Sequence, residues 1–148
     1  MSTVSILNGP NLNLLGKREP EIYGTTTAAE LDAMLQERAK QGGYQLDIFY
    51  THIEGEAIGR IYDAADSGID AVVINPAGFL HTGYALRDCL NALRVPVVEV
   101  HMSNVEKRGL HSVTAAAASG IVAGFGLRSY LIGLDAAVEL AREKRKKS

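Results

Sequence analysis

The chain alternates short runs of β-branched and aliphatic residues with longer stretches in which apolar positions recur every three or four residues. The runs "VSIL" (4–7), "YQLDIFYT" (44–51), "AVVI" (71–74), "VPVVEV" (95–100) and "GIVAGF" (120–125) predict five strands. Thr27 and Glu30 form a capping box that opens a helix carrying Leu31, Met34, Leu35 and Ala39. Ala57, Ile58, Ile61, Ala64 and Ala65 make a second helical stripe. Residues 83–94 make a third, and a helix from about residue 128 carries Leu134, Ala137, Val138 and Ala141. The alanine-rich stretch Ser112–Ser119 is a candidate short helix with little to bury. Strands that alternate with helices imply βαβ units joined by right-handed crossovers. Nearly continuous apolar strands fit a sheet covered on both faces. The expectation is an α/β, flavodoxin-like doubly wound fold whose five-stranded parallel sheet has the order 2-1-3-4-5. With no repeat, low-complexity segment or linker, residues 1–148 read as a single domain.

The polar residues gather just after the strands. The first strand ends at Asn8, with Asn11 and Asn13 following; the second runs into His52 and Glu54. The third runs into Asn75, with His81 beyond it, and the fourth carries Glu99, His101, Ser103 and Asn104. In an open parallel sheet the strand C-termini share one edge, where ligands bind. Four strands are therefore expected to deliver amides, imidazoles and carboxylates to one crevice.

Composition narrows the partners. Hydrophobic residues make up 47% of the chain, charged residues 22%, and the net charge is −2, so no global basic excess points to nucleic acid. The cationic run "REKRKK" (142–147) reads as a solvated helix end, where cations suit the dipole. The single cysteine, Cys89, shares a stripe with Leu86, Leu90 and Leu93 and reads as buried filler. The N-terminus lacks a basic segment followed by a long apolar one, and the run from Val113 to Leu127 is too short and too polar to span a bilayer. A cytoplasmic protein without a membrane partner is expected.

The motifs exclude several chemistries. "NGPNLNLLG" is not a glycine-rich dinucleotide fingerprint, and Pro10 removes a donor that a phosphate cradle would use. A receiver domain of the same fold would need acidic residues where the first strand supplies asparagine. Glu99 and His101 share strand parity while His81 lies in a distant loop, which argues against a metal site. What remains is general acid–base chemistry with hydrogen bonding, and no cofactor is expected.

Three segments carry a resemblance. "LNGPNLNLLGKREPEIYG" (7–24) resembles the opening signature of the type II 3-dehydroquinate dehydratases, and "INPAGFLHTGYALRD" (74–88) and "PVVEVHMSN" (96–104) resemble its second and third in order and spacing. The resemblance implies a flavodoxin-like enzyme without cofactor or metal, assembled as a homododecamer, a tetramer of trimers. It would remove water from 3-dehydroquinate by trans elimination through an enolate, with no covalent intermediate, in the shikimate pathway or in quinate catabolism. It further implies that Tyr23 is the base, that Arg18 holds it as a phenolate, and that Asn11 and Asn75 bind the water or hydroxyls that handle the enolate charge. His101 would be the acid, oriented by Glu99. His81, Met102 and Ser103 would hold the substrate's hydroxyls and carboxylate, and Asp88 would reach into a neighbouring subunit's site.

The physics of the loop agrees with those roles. A tyrosine titrates near 10, and lowering it by about two to three units requires roughly 3–4 kcal/mol of preference for the anion. A desolvated arginine close by supplies a shift of that order. Within the long 8–24 segment, the loop flanked by Gly16 and Gly24 then reads as a lid that carries its own base and the base's activator. The chain departs from the family at three places. "EKRGLHS" (106–112) replaces a longer basic, histidine-rich stretch, which leaves Arg108 or Lys107 to meet the substrate carboxylate. His52–Ile53 stands where Asn-His is usual, and Gly83–Tyr84 stands where Ser-Val is usual. A paralogue acting on another hydroxylated cyclic keto acid, and a silent flavodoxin-like binding subunit, are the alternative readings.

Overall fold

A computed structural model describes residues 2–17 and 19–147 of the chain, residues 22 and 23 through their backbone alone. The apolar runs become strands β1 (Thr3–Asn8), β2 (Gln45–Tyr50), β3 (Ala71–Asn75), β4 (Val97–His101) and β5 (Gly120–Ala123). They form one all-parallel sheet in the order β2-β1-β3-β4-β5, as the pattern predicts. Every residue of β3 and β4 is buried, and so is all of β1 after Thr3, whereas β2 and β5, at the edges, are largely half-buried. Central strands lose both faces to helices, so they can be apolar throughout.

Side-chain alternation assigns the two faces. Val4 and Ile6 of β1, Ala71 and Val73 of β3 and Val98 and Val100 of β4 point to one side. There they pack on Leu31 and Leu35 of helix α2 (Ala28–Gly42) and on Leu134, Ala137 and Val138 of the C-terminal helix. Leu7, Val72, Ile74 and Val97 point to the other side, against Ala57 and Ile61 of α3 (Glu54–Asp66) and Leu86, Cys89 and Leu90 of α5 (Tyr84–Ala92). Cys89 is thus core filler, as its stripe suggests. The capping box of α2 is complete: Thr27 Oγ1 accepts from the Glu30 N–H and Glu30 Oε1 accepts from the Thr27 N–H, each at 3.2 Å.

Several boundaries differ from the expectation. The loop after β1 contains a 3-10 turn (Leu12–Leu14) and a helical turn, α1 (Pro20–Tyr23), which its asparagines and prolines conceal. The helix predicted over 83–94 forms as α5, and an unpredicted helical turn, α4 (Phe79–Thr82), precedes it across Gly83, where an added Cβ would sit 2.6 Å from the Phe79 carbonyl oxygen. The alanine-rich stretch forms only a 3-10 turn, Thr114–Ala117. The C-terminal helix, α6 (Arg128–Lys146), runs through most of the basic tail, and that tail is not merely solvated. Arg142 donates to the Gly42 carbonyl at 3.1 Å, and Arg145 pairs with Asp70, whose other oxygen accepts from the Thr3 N–H. Among the described residues, no helix is long and apolar enough to cross a membrane.

Candidate active site

At the C-terminal edge of β1, β3 and β4 lies a cavity of about 250 Å3. Asn11, Asn75, His81, His101, Ser103 and Arg108 give it a polar lining, together with Met102. Leu12, Leu14, Leu15, Val105 and Leu110 supply apolar walls that the sequence reading did not assign. The β1 and β3 exits approach very closely here. The Gly9 N–H donates to the Asn75 carbonyl at 2.9 Å, and a Cβ on Gly9 would lie 2.1 Å from the Pro76 carbonyl oxygen. Only glycine fits.

One wall holds an acid–base pair. Glu99 and His101 sit two positions apart on β4 and so face the same way. Glu99 is fully buried, and its Oε2 lies 2.6 Å from Nε2 of His101. The bond consumes Nε2 and leaves Nδ1 as the ring nitrogen for the cavity. The other carboxylate oxygen, Oε1, accepts from the Thr114 hydroxyl at 2.5 Å, and the Ser112 hydroxyl lies 3.2 Å from that of Thr114. A buried carboxylate is tolerated because both of its oxygens are occupied. Thr114 and Ser112 come from the alanine-rich segment and gave no signal in sequence, since the carboxylate that Thr114 meets lies on β4.

Two amides line the same cavity. Asn75 Oδ1 accepts from the Ala77 N–H at 3.1 Å, and its Nδ2 donates to the Tyr130 hydroxyl at 2.8 Å. Ala77 has a φ of 47°, so the chain turns sharply out of β3 around the Asn75 side chain. Asn11 also occupies the left-handed region, at φ 69°, and its N–H donates to Nδ1 of His52 at 3.1 Å.

The expectation that all four strand ends feed the crevice is therefore corrected. The β2 end contributes no side chain to the cavity lining. His52 instead props the backbone of Asn11, and Glu54 Oε2 accepts from the Leu86 N–H at 2.9 Å, tying α3 to α5. Asn104 closes a turn by accepting from the Lys107 N–H at 3.2 Å. The two candidates for the substrate carboxylate separate: Arg108 lines the cavity and donates to Ser103 Oγ at 2.9 Å, whereas Lys107 is exposed and outside the lining. Asp88 stands away from this cavity on α5, its side chain 70% exposed and 3.3 Å from Arg87. Arg18 and the side chain of Tyr23 lie outside the described residues; the Tyr23 backbone closes α1.

A carboxylate-paired imidazole beside hydrogen-bonding amides is the kind of side-chain set that general acid–base chemistry uses. Comparison with known proteins points the same way. The family model described as dehydroquinase class II matches residues 2–138. A 3-dehydroquinate dehydratase from Cellvibrio japonicus is 47% identical over 143 residues, 95% of this chain and 97% of that protein. One from Desulforudis audaxviator is 50% identical over 140 residues, 93% of each. Among solved structures, the type II dehydroquinase from Propionibacterium acnes superposes with a TM-score of 0.87 at 41% identity, covering 96% of this chain and 97% of that one. With family model, relatives and fold in agreement over nearly the whole length, the chain belongs to the class II dehydroquinases.

Proposed function

We propose that this chain dehydrates 3-dehydroquinate to 3-dehydroshikimate by trans elimination through an enolate. The observation that carries the reading is the buried Glu99–His101 pair at 2.6 Å, with His101 lining the same cavity as the Asn75 amide. Tyr23, brought by the lid, takes the proton beside the ketone, and Arg18 favours its anion. The enolate oxygen then meets donors from Asn75 and Asn11, the latter through a bound water. Glu99 takes up Nε2 of His101, and His101 acts as the acid in its imidazolium form, whose Nδ1 proton passes to the departing hydroxyl. Arg108 holds the substrate carboxylate together with Ser103, while His81 and the backbone at Met102 hold hydroxyls.

The 1–148 segment acts as one catalytic domain, in the cytoplasm, within a homododecamer. Asp88, exposed on α5 beside Arg87, reaches into a neighbouring subunit's site there. Purified protein mixed with 3-dehydroquinate should generate the ultraviolet absorbance of a conjugated enone. No absorbance change, with the protein folded, refutes the reading.

A further inference from the structure

Asn8 and Asn75 end neighbouring strands, pair directly in register, and share strand parity with the residues that pack under α6. Tyr130 of α6 is buried and sits between them. Its hydroxyl accepts from Asn75 Nδ2 at 2.8 Å and donates to Asn8 Oδ1 at 2.7 Å. We infer that Tyr130 is a positioning residue for the reaction: it fixes the amide of Asn75 so that one Nδ2 proton is presented to the oxygen that gains charge in the cavity. The inference rests on the proposed dehydration, since it assigns a task to that oxygen.

The polarity of the chain follows from chemistry. The Ala77 N–H can only donate, so the atom of Asn75 facing it must be Oδ1. This puts Nδ2 toward Tyr130 and forbids the flipped amide, which would set two N–H groups against each other. Since Asn75 donates to the phenol oxygen, the phenol's own proton turns to Asn8. One of the two Nδ2 protons of Asn75 is thereby used, and the other is left for the occupant of the cavity. At the far end, Nδ2 of Asn8 is buried with no partner among the described residues. Leaving such a group unpaired destabilises the fold, a cost that a network serving stability alone would shed by placing an apolar residue there. Burial also keeps the phenol neutral well past the ordinary tyrosine range, so the relay keeps its sense at any pH at which the enzyme would work.

The test is steady-state kinetics of Tyr130→Phe beside wild type, with thermal midpoints. Loss of a donor aimed at the charge-bearing oxygen should lower kcat about tenfold while KM stays within about twofold. Affinity for a planar-ring mimic of the enolate should weaken by a similar factor. Asn8→Val reads the relay from its other end and covers the case in which Tyr130→Phe does not fold. It removes the acceptor that turns the phenol proton away from Asn75, so kcat should fall about threefold while the thermal midpoint holds or rises. A purely structural role predicts kinetic constants unchanged in the folded variants, and that result overturns the inference with the proposed function intact. Wild type without turnover overturns both.

Discussion

Replacing Glu99 by glutamine isolates the charge of the acid–base pair from its shape. Glutamine has nearly the same volume, and both bonds can re-form. Its oxygen accepts from Nε2 of His101, and its amino group donates to the Thr114 hydroxyl, which turns its own proton to Ser112. What disappears is the negative charge 2.6 Å from the imidazole. A hydrogen bond to a charged group contributes about 1.5–3 kcal/mol and a neutral one about 0.5–1.5, so the pair weakens by roughly 1–1.5 kcal/mol. The loss falls on the proton-loaded ring, the form that acts as acid, and corresponds to about a tenfold drop in kcat. KM should barely move, because Glu99 is fully buried and does not line the cavity. Stability should move the other way. A buried neutral amide is cheaper than a buried carboxylate, so the thermal midpoint should hold or rise. Enone absorbance gives the rate and circular dichroism the midpoint. A kcat within twofold of wild type, or a rate loss matched by unfolding, refutes the assignment.

Tyr23→Phe should abolish turnover while calorimetric affinity for 3-dehydroquinate stays within a few-fold; retained turnover removes Tyr23 as the base. Arg108→Ala should raise KM about 10- to 100-fold with little change in kcat, the equivalent of losing a charge-assisted pair of about 1.5–3 kcal/mol; an unchanged KM reassigns the carboxylate. Burial holds the Tyr130 phenol above its unfolded value near 10, so above that pH the unfolded chain sheds a proton the native state keeps. Stability then falls as pH rises, by about 1.4 kcal/mol per unit from this group; Tyr130→Phe should flatten the alkaline limb of the midpoint-versus-pH curve, and an unaltered limb contradicts it. Gly9→Ala would drive a Cβ to 2.1 Å from a backbone oxygen and should cost about 3 kcal/mol or more; wild-type melting would show that the two strand exits can separate.

What the sequence revealed and what it hid divide along a physical line. The Glu99–His101 pair was legible because strand side chains repeat every two residues, so a separation of two is itself a statement about facing. The same holds for Thr27 and Glu30, whose reciprocal bonds are local. Tyr130 and Thr114 were invisible: one lies 122 residues from its partner Asn8 and the other 15 from Glu99. Their roles depend on which helix covers which face, not on any neighbouring residue. The false assignment of His52 and Glu54 to the crevice has a topological cause. In the order β2-β1-β3-β4-β5 the chain leaves β1 in one direction to reach β2 and then doubles back, so the crevice opens between the exits of β1 and β3. The end of β2 lies outside it. Its polar residues brace the wall from behind.

The sheet also separates the two halves of the proposed chemistry. Glu99 and His101 have the parity of Val97, which packs with α3 and α5, and Thr114 backs them from that side. Asn8 and Asn75 have the parity of Val4 and Val73, which pack under α2 and α6, and Tyr130 backs them from there. The proton donor and the oxygen-binding amide thus reach one cavity with supports on opposite faces of a rigid layer. Each can be tuned without disturbing the other, because among the described residues no side chain belongs to both networks.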